Sequence, residues 1–387
     1  MKIKNFFEEV RKLKGFVGGN GNVSYKGFAG SIATVSMEFT GKEADPSETG
    51  GRTGKYLTLR ASNGTAQATI LCLYEGDETG TYIVGSKLLE TAEILSGFGD
   101  EIEITHDENA NALRISCGDA TVLQEICKDT MSLKRESVKE ALHLTVKAKD
   151  LAELVTRGGF ATGDASTSVQ LFKGTIVLFP CEEGENAYFR AVSVCDAFLA
   201  TALAEVGVKD MTTFTKATTE GKTAVVNVTA LSALAKRLVS DEVDLFIGNK
   251  QVLVRDGLDT YLFNTVDGAV PPQIIEYVTN KVQEEFSCTL EGSTLKKVLQ
   301  VAALSGEKKV YLSFAENLLS ISANKSKAAL PTVGGPEEEK TFPYDVNVLK
   351  EVVSSMPSEL RVYSPKGAAG LFLEGTNCKA YVLPMKE

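Results

Sequence analysis

Apolar residues along the chain fall into two spacings, every third or fourth position and every second, and these alternate in a fixed order. Thr81-Tyr82-Ile83-Val84-Gly85 predicts a short strand, and Leu88, Leu89, Ala92 and Leu95 lie on one face of a helix opened by Ser86 and stopped at Gly97. Ile102 and Ile104, then Leu113 and Ile115, alternate as two strands across an Asn/Asp-rich turn. The same order returns from Ala224 to Val254. There Thr229 opens a helix carrying Leu231, Leu234, Ala235 and Leu238, and Val243, Leu245 and Ile247 turn back through Val252 and Val254. It returns again from Thr341 to Leu373, with Asn347 opening a helix of Leu349, Val352, Val353 and Met356. One supersecondary unit used three times is the simplest reading.

An earlier helix precedes each copy. Asn5 with Glu8 reads as a capping box before Phe6, Val10 and Leu13. Lys147 to Arg157 carries Leu151, Leu154 and Val155, and Ser293 opens Leu295, Val298, Leu299 and Ala302. The anchors Phe6, Leu151 and Leu295 are separated by 145 and 144 residues. Alternating strands such as Tyr56–Leu59 and Leu318–Ile321 lie between the halves, and the polar stretches near Lys134 to Lys139 and Val278 to Glu285 mark boundaries. The reading is three tandem α+β domains, 1–133, 134–278 and 279–387, each with two helices on antiparallel sheets. Residues 41–54, rich in Gly, Asp, Ser and Thr, read as a mobile excursion of the first domain.

Composition narrows the function. The 387 residues carry a formal charge of −10, which excludes a uniformly basic nucleic-acid binder but not a basic surface. The six helices nevertheless sum to +5, leaving −15 for the rest. Arg11, Lys12, Lys147, Lys149, Arg157, Lys236, Arg237, Lys296 and Lys297 carry this excess. Lys and Arg are good helix formers and such charge can simply be solvated. Glu is an equally good one, however, and acids outnumber bases here, so the alternative is a set of helices turned toward one polyanion.

Catalytic chemistry is poorly provided for. There is no Trp and there are two His, His106 in a polar turn and His143 at a strand start, so general bases are scarce. Seven Cys are scattered without a paired motif, which suits reduced thiols rather than zinc or disulfides. Gly18 to Asn22 lacks the Lys-Ser/Thr of a phosphate loop, Asp164 and Asp196 have no partners at metal-ligand spacing, and Cys195 has no nearby His. The expectation is a protein that is not an enzyme, needs no cofactor and lies in the cytoplasm. No apolar run reaches the ~18 residues of a membrane span.

Three stretches carry a resemblance to the bacterial DNA polymerase III beta subunit, the sliding clamp. Tyr261 to Pro271 resembles the family's segment ending Asp-Gly-x-Phe-Pro, Ala191 to Ala200 its Thr-Asp-Gly-His-Arg-Leu-Ala strand and turn, and Ala380 to Lys386 its terminal Tyr-Val-Met-Pro-Met-Arg. The turn is one residue shorter here, Asp196-Ala197-Phe198, and the chain ends in Glu387, which marks a divergent member. The resemblance implies that the three domains form half of a six-domain ring, a head-to-tail homodimer around double-stranded DNA with the helices lining the hole. It also implies capture of polymerase and clamp-loader peptides in a groove of Phe172, Val194, Leu199, Pro271, Leu383, Pro384 and Met385. The ring joint is expected where the strand near Val122 meets the helix end near Leu304. The alternative in another class is a tandem-domain protein-binding scaffold that keeps the fold without encircling DNA.

Overall fold

The computed structural model describes residues 2–18, 22–25, 28–31, 33–128, 138, 142–161, 174–183, 186–194, 200–208, 223–248, 250–266, 276, 278–304, 306, 308–324 and 326–385. The first third holds β1 (Lys2–Lys4), α1 (Phe6–Arg11), β2 (Asn22–Tyr25), β3 (Phe28–Ser31), β4 (Thr34–Glu43), β5 (Lys55–Ser62), β6 (Ala66–Tyr74) and β7 (Gly80–Gly85). It continues with α2 (Leu88–Leu95), β8 (Glu101–Asp107), β9 (Ala112–Cys117) and β10 (Ala120–Glu125). The middle holds β11 (Leu142–Lys147), α3 (Ala148–Gly158), β12 (Thr175–Glu183), β13 (Asn186–Val194), β14 (Ala200–Gly207) and β15 (Ala224–Asn227). After it come α4 (Val228–Ala235), β16 (Glu242–Ile247), β17 (Gln251–Asp256) and β18 (Asp259–Asn264). The last third holds β19 (Glu284–Glu291), α5 (Gly292–Leu304), β20 (Lys309–Ala315), β21 (Leu318–Ser322), β22 (Lys327–Pro331), β23 (Val333–Gly334) and β24 (Lys340–Asp345). It ends with α6 (Val346–Ser355), β25 (Glu359–Pro365), β26 (Leu371–Gly375) and β27 (Cys378–Val382).

Two compact units emerge, Met1–Ala148 with Thr229–Thr265, and Lys149–Val228 with Val266–Glu387. Each is built around one long antiparallel sheet. In the first the order is β11-β16-β17-β18-β6-β5-β4-β7, and in the second β15-β12-β13-β14-β27-β26-β25-β19-β23. Each unit also has a four-stranded sheet, β1-β8-β9-β10 in the first and β22-β21-β20-β24 in the second.

The repeat is visible in the strand orders. β7-β4-β5-β6, β15-β12-β13-β14 and β24-β20-β21-β22 are three copies of one half-unit; β1-β8-β9-β10, β11-β16-β17-β18 and β19-β25-β26-β27 are three copies of the other. The first kind joins the second through β6 against β18, with Tyr261 opposite Ala68, and through β14 against β27, with Ala380 opposite Ala202. The remaining ends, β10 and β22, terminate their sheets.

The helices bury the predicted faces. Phe6 and Val10 of α1, Leu151, Leu154 and Val155 of α3, and Leu295, Leu299 and Ala302 of α5 are all buried, as are Leu349, Val352 and Val353 of α6. Each such large apolar side chain contributes roughly 1.5–3 kcal/mol relative to exposure. The starts of the helices differ from expectation. Asn5 is left-handed (φ 58) with no side-chain cap, and α2 follows Lys87 without one, so neither the Asn5 box nor the Ser86 cap forms. Thr229 already lies inside α4, and α5 starts at Gly292, with the Ser293 hydroxyl donating to Glu291 at 2.5 Å. At α6 the cap is Asp345, whose carboxylate accepts from the Asn347 and Val348 amides.

The excursion expected at 41–54 is tied down. β4 runs on to Glu43, Ala44 donates to the Gly54 carbonyl at 2.8 Å, Asp45 accepts from the Ser47 amide at 2.8 Å, and the Tyr56 hydroxyl meets Glu48 at 2.8 Å. His106 sits in β8 rather than in a turn, its ring 5.1 Å from that of Tyr82. His143 in β11 meets Asp244 at 3.0 Å and stacks on Phe246.

Candidate nucleic-acid and peptide interfaces

The helix cations divide into two groups. Arg11, Lys147, Lys149, Lys236 and Lys297 are exposed and Lys296 is half-buried. Arg11 keeps Glu8 at 2.8 Å and Ser96 at 3.2 Å, both exposed contacts of small energetic weight. The other three cations turn inward at the sheet junctions. The Lys12 ammonium donates to Glu9 at 2.6 Å and to Asp259 at 2.7 Å, with 14% of its side chain exposed. Burial alone would lower its pKa, but Asp259 and Glu9 outweigh that and hold it above its ordinary value. Burial pushes Asp259 up although Lys12 and the Leu71 amide pull it down. The arrangement is therefore an ammonium held between two carboxylates.

Arg237 of the segment after α4 donates to the Lys14 carbonyl beyond α1, and burial lowers its pKa. This approach is close: a Cβ on Gly15 (φ +97) would stand 2.6 Å from that of Ala233. Phe16 completes the joint, 5.4 Å from the Tyr261 ring and 5.9 Å from Phe263. In the second unit Arg157 donates to the Thr376 carbonyl at 3.0 Å, at the turn into β27, and pairs with Glu153 at 3.3 Å. Lys12 and Arg157 are 145 residues apart and each reaches across an equivalent joint, Lys12 to a carboxylate and Arg157 to a backbone carbonyl.

Of the expected groove residues, Val194 and Leu383 come together in the second unit. Val194 is buried in a cluster with Val177, Phe179, Val192, Leu203, Tyr363, Phe372 and Tyr381, and Leu383 packs on it with Val266 and Val282. Pro384 and Met385 are half-exposed, and the Met385 amide donates to the Pro343 carbonyl at 2.7 Å. Phe172, Leu199 and Pro271, with Asp164, Cys195 and Asp196, lie outside the described residues. Sequence reasoning missed the backing of this cluster, a ladder of Tyr363, Phe372 and Tyr381 across three strands, with rings 5.0 and 4.7 Å apart. The signal was present as aromatics at matched distances from two hairpin turns. Lys379 covers the ladder, 4.4 Å above the Phe372 ring, and burial lowers its pKa.

Val122 in β10 is half-buried, while Leu304, at the end of α5, is 87% exposed. Among the described residues no cluster of three His, Cys, Asp or Glu could hold a metal ion, and no helix is long and apolar enough to cross a membrane.

No protein-family model and no curated protein matches this sequence. Solved structures do match. A DNA polymerase sliding clamp from Pseudomonas aeruginosa is 16% identical, with 100% of this chain and 99% of that one covered at a TM-score of 0.76. The sliding clamp from Bacillus subtilis is 14% identical, covering 100% and 98% at 0.76, and the Caulobacter crescentus pol III beta is 13% identical, covering 100% of both at 0.75. At these identities the likeness is one of fold, and it extends over the whole chain. The molecule has the fold of the DNA polymerase III beta sliding clamps in a divergent sequence.

Proposed function

We propose that this chain is a DNA sliding clamp: two copies join head to tail into a six-domain ring that encircles duplex DNA and tethers a replicative polymerase. The observation that carries this reading is the pair of open sheet edges. Among the described residues, each chain uses two of its three half-unit pairs internally and leaves one edge of each kind, β10 and β22, without a strand. Both internal joints pair one kind with the other, so closing β10 of one chain on β22 of the next repeats the same joint head to tail. The domain boundaries at about residues 134 and 279 belong to this reading, since they keep each pair of half-units in one repeat.

The repeat also supplies a register. Tyr261 and Ala380 are each the third residue of a strand leaving a two-residue turn, and the third residue of β10 is Val122. Their partners are Ala68 and Ala202; the matching position in β22, one residue past the Lys327–Ser322 pair, is Ala328. Val122 and Ala328 are both half-buried, so this register puts their inward faces on one side.

The exposed cations Arg11, Lys147, Lys149, Lys236 and Lys297, with Lys296, face the DNA phosphates without reading sequence. A modest charge suits sliding, because each phosphate contact must break as easily as it forms. The cluster holding Val194 and Leu383 forms the floor of the peptide groove, and Pro384 and Met385 its rim. Apolar, adaptable side chains of this kind suit short linear motifs of polymerase or clamp loader. No catalytic step is assigned to any residue, and a clamp works in the cytoplasm with the replication machinery.

The test is topological. Val122→Cys with Ala328→Cys, joined by a short bifunctional crosslinker, should seal the ring. Protein sealed on a circular plasmid should then survive denaturant and be lost when the plasmid is linearised. Equal retention before and after linearisation would contradict encirclement and favour the scaffold reading.

A further inference from the structure

Each of the two joints inside the chain has a cation reaching across it, whereas the open edges present apolar residues at the same positions. By the repeat offsets of 145 and 144 residues, Lys12 and Arg157 correspond to Val301. By the anchors Leu88 and Leu231, which are 143 residues apart and both buried, Arg237 corresponds to Ile94. Lys12 is held by Asp259 and Glu9, Arg157 by the Thr376 carbonyl, and Arg237 by the Lys14 carbonyl. Val301 and Ile94 are instead 60% and 67% exposed. Even the acceptor changes: Asp259, the first paired residue after its turn, corresponds to Ala120 after the turn of Gly118 and Asp119.

The neighbouring positions continue the pattern. Phe160 packs against the cluster holding Ala380 in the second unit, and the position 145 residues before it is Gly15, packed closely against Ala233 in the first. The offset of 144 residues takes Phe160 to Leu304, at the exposed end of α5, and Tyr261 and Ala380 correspond to Val122. Phe98, just past α2, is a further large apolar residue left exposed beside the β10 edge. Isolated exposed apolar residues mean little, but here Val301 and Ile94 occupy positions that carry Lys12, Arg157 and Arg237 at the closed joints, and Leu304 the position of Phe160.

We propose that the joint between protomers, on the ring reading given above, is an apolar seat without a cationic latch. Val301 and Leu304 of one chain pack against Ile94, Phe98 and Val122 of the partner subunit. An ion pair resists sliding apart through directional contacts and weakens with salt, whereas apolar burial is short-ranged and nearly indifferent to salt. The inter-protomer joint is thus chemically distinct from the two that hold each chain together. It can part as a unit, uncovering only residues that the single chain already leaves wholly or partly exposed, while the latched joints stay shut.

The experiment follows the monomer–dimer equilibrium of the full chain by sedimentation at about 50 and 500 mM salt. Wild type should dimerise with a dissociation constant that changes less than about threefold between the two conditions. Val301→Lys, which places an unpaired ammonium in the seat, should weaken the dimer by about tenfold or more. Adding Ala120→Asp, which recreates the Lys12–Asp259 arrangement, should restore most of that loss and make the dimer salt-sensitive. Matching thermal midpoints for the monomers would show that these surface changes leave the fold intact. A dimeric protein indifferent to Val301→Lys would overturn the apolar seat and leave the ring standing. A wild type that stays monomeric throughout would overturn the ring itself.

Discussion

Lys12 and Asp259 are separated by 247 positions in the chain, and the ammonium of one lies 2.7 Å from the carboxylate of the other. That contact joins the first helix of the repeat to β18, the strand that pairs with β6 inside the first unit's long sheet. It also removes Lys12 from the set of cations able to meet a phosphate, although its neighbour Arg11 remains exposed.

Replacing Lys12 with Met should therefore destabilise the first unit more than neutralising any exposed cation. Two carboxylates would be left in a buried site, at a cost of about 3–5 kcal/mol. The sign with pH follows from the two groups. Lys12, held above its ordinary 10.5, contributes stability that is full below that value and is lost as pH rises through its folded pKa. Asp259 is raised, so without Lys12 its protonation relieves the site as pH falls. Urea unfolding at about pH 8 and about pH 5 should show a smaller penalty for Lys12→Met at the lower value. A penalty that grows toward acid would contradict the arrangement.

Phe16→Ala should cost about 3–5 kcal/mol by opening a cavity between the Tyr261 and Phe263 rings, read as a drop in the denaturant midpoint. The side chain is fully buried, so a change below about 1 kcal/mol would mean that the joint repacks freely.

How much of this is legible in the sequence depends on distance along the chain. The stripes of α1, α3, α5 and α6 are legible because a helix buries residues three and four apart, and the sequence displays them together. The helix starts are not, because several polar residues lie within one turn: Asp345, not Asn347, has the extended backbone that lets a carboxylate reach back to the first amides. The pairing of β6 with β18 is hidden too, since Ala68 and Tyr261 share no local signal. Lys12, Arg157 and Arg237 look like surface cations for the same reason. Their exposure is decided by acceptors at Asp259, Thr376 and Lys14 that the pattern along a helix does not reveal. Val194 and Leu383 are grouped in the sequence through the resemblance alone, and no local pattern announces the apolar cluster in which both lie.

Changing Lys147, Lys149, Lys236 and Lys297 to Gln should leave stability within about 0.5 kcal/mol per site, because all four are exposed. Retention on DNA should fall, and the slope of log affinity against log salt should shallow by about 0.9 for each phosphate no longer neutralised. A variant that keeps the wild-type slope would remove these helices from the DNA face.

Leu383→Asp with Met385→Asp should abolish binding of a polymerase-derived clamp-motif peptide, measured by fluorescence anisotropy. The first places a carboxylate against the cluster of Val194 and Tyr381, and the second acts at the half-exposed rim. Unchanged affinity in a folded variant would place the peptide site elsewhere.

The ring itself is tested most directly by solution mass, measured by light scattering across micromolar concentrations. Two chains closed through β10 and β22 give twice the 41.5 kDa of one chain. A mass of one chain throughout would contradict a ring closed by these edges alone.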